Sequence, residues 1–165
     1  MNIQRIVRHL FTTRRSVARA FPASALAAIE QAIKSSEASH AGEIRFAVEA
    51  ALDGAPLFQD QSPRDRAIEL FARLRVWDTE HNNGLLIYLL LADHAVEIVA
   101  DRGIHAKVGA EEWAGICHRM EAAFGQSHYE AGVITGVQAV TQHLARHFPL
   151  RSDDQNELSN KPVVL

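Results

Sequence analysis

Residues 77–103 read WDTEHNNGLLIYLLLADHAVEIVADRG, and this stretch decides the fold. The run Leu85 to Leu91 follows Gly84 without any polar alternation, which is the pattern of a strand buried on both faces. Such a strand needs a layer of structure above it and another below. Ala92-Asp93-His94 leaves room only for a tight turn, so Ala95 to Ala100 returns as the antiparallel partner. A polar cluster (Asp78, Glu80, His81, Asn82, Asn83) stands at the entry to this hairpin and Asp101 at its exit. A hairpin brings its last residues back beside its first, so Asp101 is expected next to residues 82–84.

Upstream, Glu43 to Glu49 alternates strictly, with Ile44, Phe46 and Val48 on one face, and reads as a strand from 43 to 50. Ser62-Pro63-Arg64-Asp65 opens a helix between the two strands, with a capping hydroxyl, proline at the first helical position and an acid in the first turn. It is expected to run to about Arg75, with Ile68, Phe71, Ala72 and Arg75 along one side. In the loop before it, Leu57 and Phe58 are expected to tuck into the core. A strand-helix-strand unit joined this way is parallel, with a right-handed crossover.

Further out, Pro22 to about Ser39 carries Leu26, Ile29, Ala32 and Ile33 at helical spacing. Beyond the hairpin, residues 109–124 point Trp113, Ile116, Cys117, Met120 and Phe124 inward. Residues 128–147 align Val133, Ile134, Val137, Val140, Thr141 and Leu144, and Pro149 stops that helix. The order helix, strand, helix, strand, strand, helix, helix predicts an α/β fold, a three-layer α/β/α sandwich around a small mixed β-sheet. Three regions follow: a basic amphipathic segment over 1–21, a domain over 22–148, and a polar, aperiodic segment over 149–165 expected to be a mobile tail.

The chain has 165 residues, 47% apolar and 22% charged, which suits one soluble domain able to bury roughly 70% of its unfolded surface. Its net charge of −3 gives no nucleic-acid footprint. Cys117 is the single cysteine, so no internal disulfide can form and a reducing, cytoplasmic setting is expected. Arginines interrupt every apolar run before Pro22, which argues against a signal peptide, and no run approaches the ~20 residues that span a bilayer.

Charge is nevertheless uneven. Arg5, Arg8, Arg14, Arg15 and Arg19 precede Pro22 with no acid among them, and Ile3, Ile6, Val7, Leu10 and Phe11 lie between at helical spacing. Such a helix either docks on its own domain with the arginines in water or lies on an anionic membrane, where each nearby basic residue contributes about 1 kcal/mol.

The strand-end residues suggest one chemistry. Hard divalent cations take oxygen from carboxylates, amides and carbonyls, and Glu43, Asp78, Glu80, Asn82, Asn83 and Asp101 supply such oxygens at one edge of the sheet. Calcium or magnesium is the expected cofactor, with His81 and Arg102 placed to contact a phosphate or other substrate group. The alternative reads Asn83-Gly84 as a turn, Asp78 as a cap, and Glu80 and His81 as solvated side chains. No pair of the nine histidines forms HExxH, no GxSxG or phosphate loop is present, and a buried Cys117 would be inert.

Gly42-Glu43-Ile44, Asn82-Asn83-Gly84-Leu85-Leu86, Val96-Glu97-Ile98 with Asp101-Arg102-Gly103-Ile104, and His128-Tyr129-Glu130-Ala131-Gly132 together resemble the TPM domain family, which includes thylakoid-lumen and photosystem II repair proteins and bacterial YgcG-like proteins. The resemblance spans about residues 22–148. It implies an α/β/α sandwich with a groove at the strand ends, which in some members binds calcium and in others is linked to acid phosphatase activity. Some members are accessory factors for membrane complexes. Glu43, Asn82, Asn83 and Asp101 match motif positions, whereas Asp78, Glu80 and His81 fall in a loop without a matched position. Ala41 stands where relatives often have a small hydroxyl residue. Many relatives carry a signal peptide and a membrane helix, so this chain resembles the short soluble form.

Three functions are therefore expected to compete. One is a cation-binding accessory module for a membrane-associated or multiprotein assembly, with an unidentified protein partner and peripheral membrane contact through residues 1–21. Another is a metal-dependent acid phosphatase-like phosphoester hydrolase. The third treats the acidic edge as structural and the protein as a peripheral membrane adaptor acting through residues 1–21.

Overall fold

The computed structural model describes residues 3–150 and 154–165; residues 1–2 of the basic segment and 151–153 of the expected tail lie outside the described residues. Strand β1 (Glu43–Glu49) pairs parallel with β2 (Gly84–Leu90), and β2 pairs antiparallel with β3 (Ala95–Ala100). The turn between β2 and β3 is a 3-10 turn at Leu91–Asp93, closed by His94 in the left-handed region at φ 52°. Register places Glu43 opposite Gly84 and Leu85 opposite Ala100, so Asp101 follows directly beside Gly84.

Each strand divides its side chains between two cores. Ile44, Phe46, Val48, Leu85, Ile87, Leu89, Val96 and Ile98 face helices α2 (Arg14–Ala20), α3 (Ala23–Ser36), α7 (Ala110–Gly125) and α8 (Tyr129–His147). Ala47, Leu86, Tyr88, Leu90 and Val99 face α4 (Gly54–Phe58) and α5 (Pro63–Arg73). This is the three-layer sandwich, and β2 is buried along its whole length. Ser62 caps α5 as its sequence requires, its Oγ accepting from the Asp65 N–H at 3.0 Å. The α7 residues Trp113, Ile116, Cys117, Met120 and Phe124 are all buried.

Three expectations are corrected. Residues 154–165 are not a tail without regular structure: β4 (Val163–Val164) pairs parallel with β1, giving a sheet of order β3-β2-β1-β4. Two residues are too few for an alternating pattern to reveal, and Leu165 beside them is held by backbone bonds to Val48 and Ala50. On α5 the inward residues are Ala67 and Leu70, three apart on one face, which turns Ile68 outward to about half exposure. Phe58 is 60% exposed although Leu57 beside it is buried.

The basic segment forms two helices, α1 (Ile3–Phe11) and α2, broken at Thr12-Thr13, where Thr13 is extended and its N–H donates to Ser16 Oγ. At the free edge of the sheet, side chains occupy the ladder groups of β3. The Val96 N–H donates to Glu121 at 3.0 Å and Arg64 donates to the Ile98 carbonyl at 2.5 Å, which blunts an edge that could otherwise pair with another chain. A short helix, α6 (Arg102–His105), leads from β3 toward α7. Among the described residues no helix is long and apolar enough to cross a membrane.

Candidate functional site

The parallel pairing of β1 and β2 and the return of β3 bring Glu43, the residues before Gly84, and Asp101 to one end of the sheet. The backbone ties them closely. The Glu43 N–H donates to the Asn83 carbonyl at 3.0 Å, the Asp101 N–H to the Gly84 carbonyl at 2.9 Å, and the Gly103 N–H to the Asn82 carbonyl at 3.1 Å. Glycine is required at two of these positions by close approach: a Cβ on Gly84 would lie 1.9 Å from the Val76 carbonyl oxygen, and one on Gly103 would lie 2.5 Å from that of Asn82. Asn82 itself adopts a left-handed turn, at φ 50°.

The side chains nevertheless separate into two groups. Val76 packs against Gly84, while Glu43 and Asp101 pair with the strand on either side of it. On the Asp101 flank, Oδ1 accepts from the Arg102 N–H at 2.6 Å and the residue caps α6, while the other oxygen, Oδ2, is buried without a hydrogen-bond partner. Arg102 reaches back to Asn82 Oδ1 at 3.4 Å.

On the Glu43 flank, the segment after residue 153 crosses the strand ends and supplies partners that sequence reasoning missed. The buried Glu43 carboxylate accepts from the backbone N–H groups of Glu157 and Leu158 at 3.0 and 3.1 Å. Glu157 in turn places its own carboxylate against the Glu80 N–H, at 3.0 and 3.3 Å. Arg45 donates to the Ser159 carbonyl. Burial, together with the nearby Glu37 and Glu157 charges, raises the Glu43 pKa above its ordinary value despite the two N–H donors. Glu37 is raised in the same way by burial, and its Oε1 has no hydrogen-bond partner. Burial holds the imidazole of His40 below its usual pKa, so it is neutral at physiological pH.

The crossing segment leaves a recess on each side. One, of about 370 Å³, is lined by Ala41, Glu80, His81, Asn83, Asp154, Gln155 and Glu157. The other, of about 200 Å³, is bounded by Glu37, His40, Glu43 and the opposite side of residues 154–156. Asn83 anchors the first. Its N–H donates to Thr79 Oγ1 and its Nδ2 to the Ala41 carbonyl at 2.6 Å, yet Oδ1 is buried and has no partner. Among the described residues no lysine or arginine lines this recess.

Of the residues singled out from sequence, Glu80, His81 and Asn83 therefore share one recess and Glu43 lies next to it. Asn82, Asp101 and Arg102 lie on the far side of Gly84. Asp78 is exposed and lines neither recess. Among the described residues no group of three or more His, Cys, Asp or Glu side chains is gathered so as to hold a metal ion. The oxygens suit a hard cation in type, but the exposed carboxylates of Glu80 and Glu157 would have to turn inward to complete a shell. A signal for the missed partners was present in Asp154, Glu157 and Asn160, but nothing local in the chain says that they fold back on β1.

Comparison with known proteins bears on this arrangement. The sequence model of the TPM domain family matches residues 16–143. Among solved structures, the BA42 protein of the psychrophilic bacterium Bizionia argentinensis is similar at a TM-score of 0.76 and 29% identity, over 88% of this chain and 95% of that one. The N-terminal domain of a P. gingivalis protein is similar at a TM-score of 0.58 and 26% identity, over 73% of this chain and 76% of that one. No curated protein sequence matches significantly.

Proposed function

Because the chain belongs to the TPM domain family, we propose that its strand-end recess is a binding site for a hard divalent cation, calcium or magnesium, in a noncatalytic module that supports a larger assembly. The observation that carries this reading is Asn83 Oδ1, a buried amide oxygen without a hydrogen-bond partner that borders an acid-lined recess. An unpaired buried acceptor costs about 1–3 kcal/mol, and a cation removes that cost. Asn83, Glu80, Glu157 and Asp154 are the residues that would hold the ion, with the Ala41 carbonyl alongside. Ligands drawn inward from exposed positions imply weak affinity, in the range of about 10⁻⁴–10⁻³ M. The accessory role rests on the lining, which among the described residues is rich in acid and amide acceptors and carries no hydroxyl or thiol side chain. The one cysteine lies elsewhere, in α7, with burial raising its thiol pKa to about 12.

Calcium and magnesium titrations followed by NMR amide shifts test the site. Shifts centred on residues 80–83 and 154–157, lost in the Glu80→Gln, Glu157→Gln double variant, are the expected result. Both side chains are exposed, so the fold should survive. No shift at millimolar cation would end the proposal.

The family name, TPM phosphatase, supports a second reading as a phosphoester hydrolase. There, a bound metal would supply polarisation of a phosphoryl oxygen and activation of water. Arg102 makes its contact to Asn82 and is not part of the recess lining, which leaves His81 as the one basic side chain among the described lining residues that could meet a phosphate. Hydrolysis of a generic phosphate ester with added calcium or magnesium, lost in the same double variant, would favour the enzyme.

A further inference from the structure

Helix α1 docks with its polar side inward. Arg5 is only 12% exposed at its side chain and donates from Nε and Nη2 to Asp93 at 3.0 and 2.8 Å, and from Nη1 to Asp60 at 2.7 Å. His9 is fully buried. Its Nδ1 accepts from the Leu52 N–H at 2.9 Å, which leaves Nε2, 3.0 Å from Asp93, to donate. On the opposite face of the same helix, Ile3, Val7, Leu10 and Phe11 are 73, 45, 67 and 80% exposed. This stripe follows the spacing i, i+4, i+7, i+8 of a single helical face. Helices that serve their own core place such a stripe inward, so the reversal calls for an external apolar phase.

The surroundings specify that phase. Just beyond Phe11 the chain turns into α2, whose Arg14, Arg15 and Arg19 are exposed and make no ion pair among the described residues. Beside the turn lies a recess of about 430 Å³ lined by Thr12, Ser16, Arg19, His94, Ser127 and Tyr129. Hydroxyl, guanidinium and imidazole groups next to an apolar stripe reproduce the vertical order of a lipid monolayer, with acyl chains against Leu10 and Phe11 and phosphates against Arg19. We propose that α1 and the start of α2 form a peripheral docking surface for an anionic phospholipid bilayer. Charge complementarity selects the bilayer over a second copy of the chain, since pairing two such faces would oppose two sets of arginines. The surface sits at the opposite end of the sheet from the cation recess, and α1 lies outside the family-matched residues 16–143. It is therefore independent of the proposed cation site.

The test is cosedimentation of the full chain with vesicles of phosphatidylcholine alone and with added phosphatidylglycerol, at low and high salt, without divalent cations. Binding to the phosphatidylglycerol vesicles that weakens with salt is expected. Leu10→Asp with Phe11→Asp should reduce the partition coefficient at least ~10-fold, and Arg14→Glu with Arg15→Glu and Arg19→Glu should remove the preference for anionic lipid. These side chains are exposed, so unchanged circular dichroism and melting should accompany the loss. No binding, or binding unaffected by the Leu10 and Phe11 changes, overturns the proposal. So does a dimer by light scattering that the same apolar changes dissolve while vesicles go unbound.

Discussion

Asp93 shows how one side chain holds a distant element. Burial alone would raise its pKa, but hydrogen bonds from Arg5 and His9 outweigh that and hold it below the ordinary aspartate value of 3.8. A carboxylate whose folded pKa is depressed stabilises the fold fully above its unfolded pKa, and that contribution is lost as pH falls through the lower folded value. Wild type and Asp93→Asn should accordingly differ most in urea stability near neutral pH and converge in acid below about pH 3.8. Gly84 sets a steric limit at the other end of the sheet. A methyl group 1.9 Å from the Val76 carbonyl oxygen meets backbone, which cannot rotate away, so Gly84→Ala should cost ~3 kcal/mol or more in chemical denaturation. Cys117 gives a simpler reading: with burial holding its thiol near 12, it should resist a thiol reagent at pH 8 in the native protein and react on unfolding.

Among the elements, those whose signals are local were legible in the sequence. The unbroken run Leu85 to Leu91 marked a central strand, which ends one residue earlier at Leu90, Ala92-Asp93-His94 marked a turn, which begins at Leu91, and Ser62-Pro63 marked the start of α5. Elements decided by distant partners were not. The periodicity of α1 identifies an apolar face without saying which way it turns; that is decided by Asp93, 88 residues from Arg5. β4 is likewise invisible locally, since Val163–Val164 pairs with β1 in a segment that Glu43 holds by the N–H groups of Glu157 and Leu158. The strand-end site was legible as a location, because register follows from the hairpin and the parallel crossover. Its division into two groups was not, because it depends on residues 154–157 folding back over the strand ends beside Glu80, His81 and Asn83. If Glu43 anchors the carboxyl-terminal segment in this way, Glu43→Ala removes the carboxylate acceptor of the Glu157 and Leu158 N–H groups and should cost about 1–3 kcal/mol. Hydrogen exchange would then show early loss of protection at Leu165, whose N–H donates to the Val48 carbonyl at 2.9 Å, with little change in β3.

At the scale of the whole molecule, the sheet separates two charged ends of different character. Acids and amides gather where β1 and β2 begin, and the basic helix α1 docks where they end, on Leu52, Asp60 and Asp93. A strand of seven residues at ~3.3 Å each puts about 20 Å between them. That distance exceeds the Debye length of about 8 Å at physiological ionic strength, and between the ends β2 is apolar and fully buried, with Arg45 of β1 held by the Ser159 carbonyl and Glu49 and Tyr88 tied to Arg66 of α5. Such separation predicts independence. Asp93→Ala strips Arg5 and His9 of their common acceptor, and Glu157→Ala frees the Glu80 N–H at the far end. Sites this far apart with no shared partner should add within ~0.5 kcal/mol, so the urea stability loss of the double variant should equal the sum of the single losses to that margin. The Asp93→Ala protein should also show the same calcium-dependent shifts at residues 80–83 as wild type. A coupling energy above ~1 kcal/mol, or a calcium response altered by Asp93→Ala, would instead show that the sheet transmits between its two ends and that cation binding and membrane docking act as one switch.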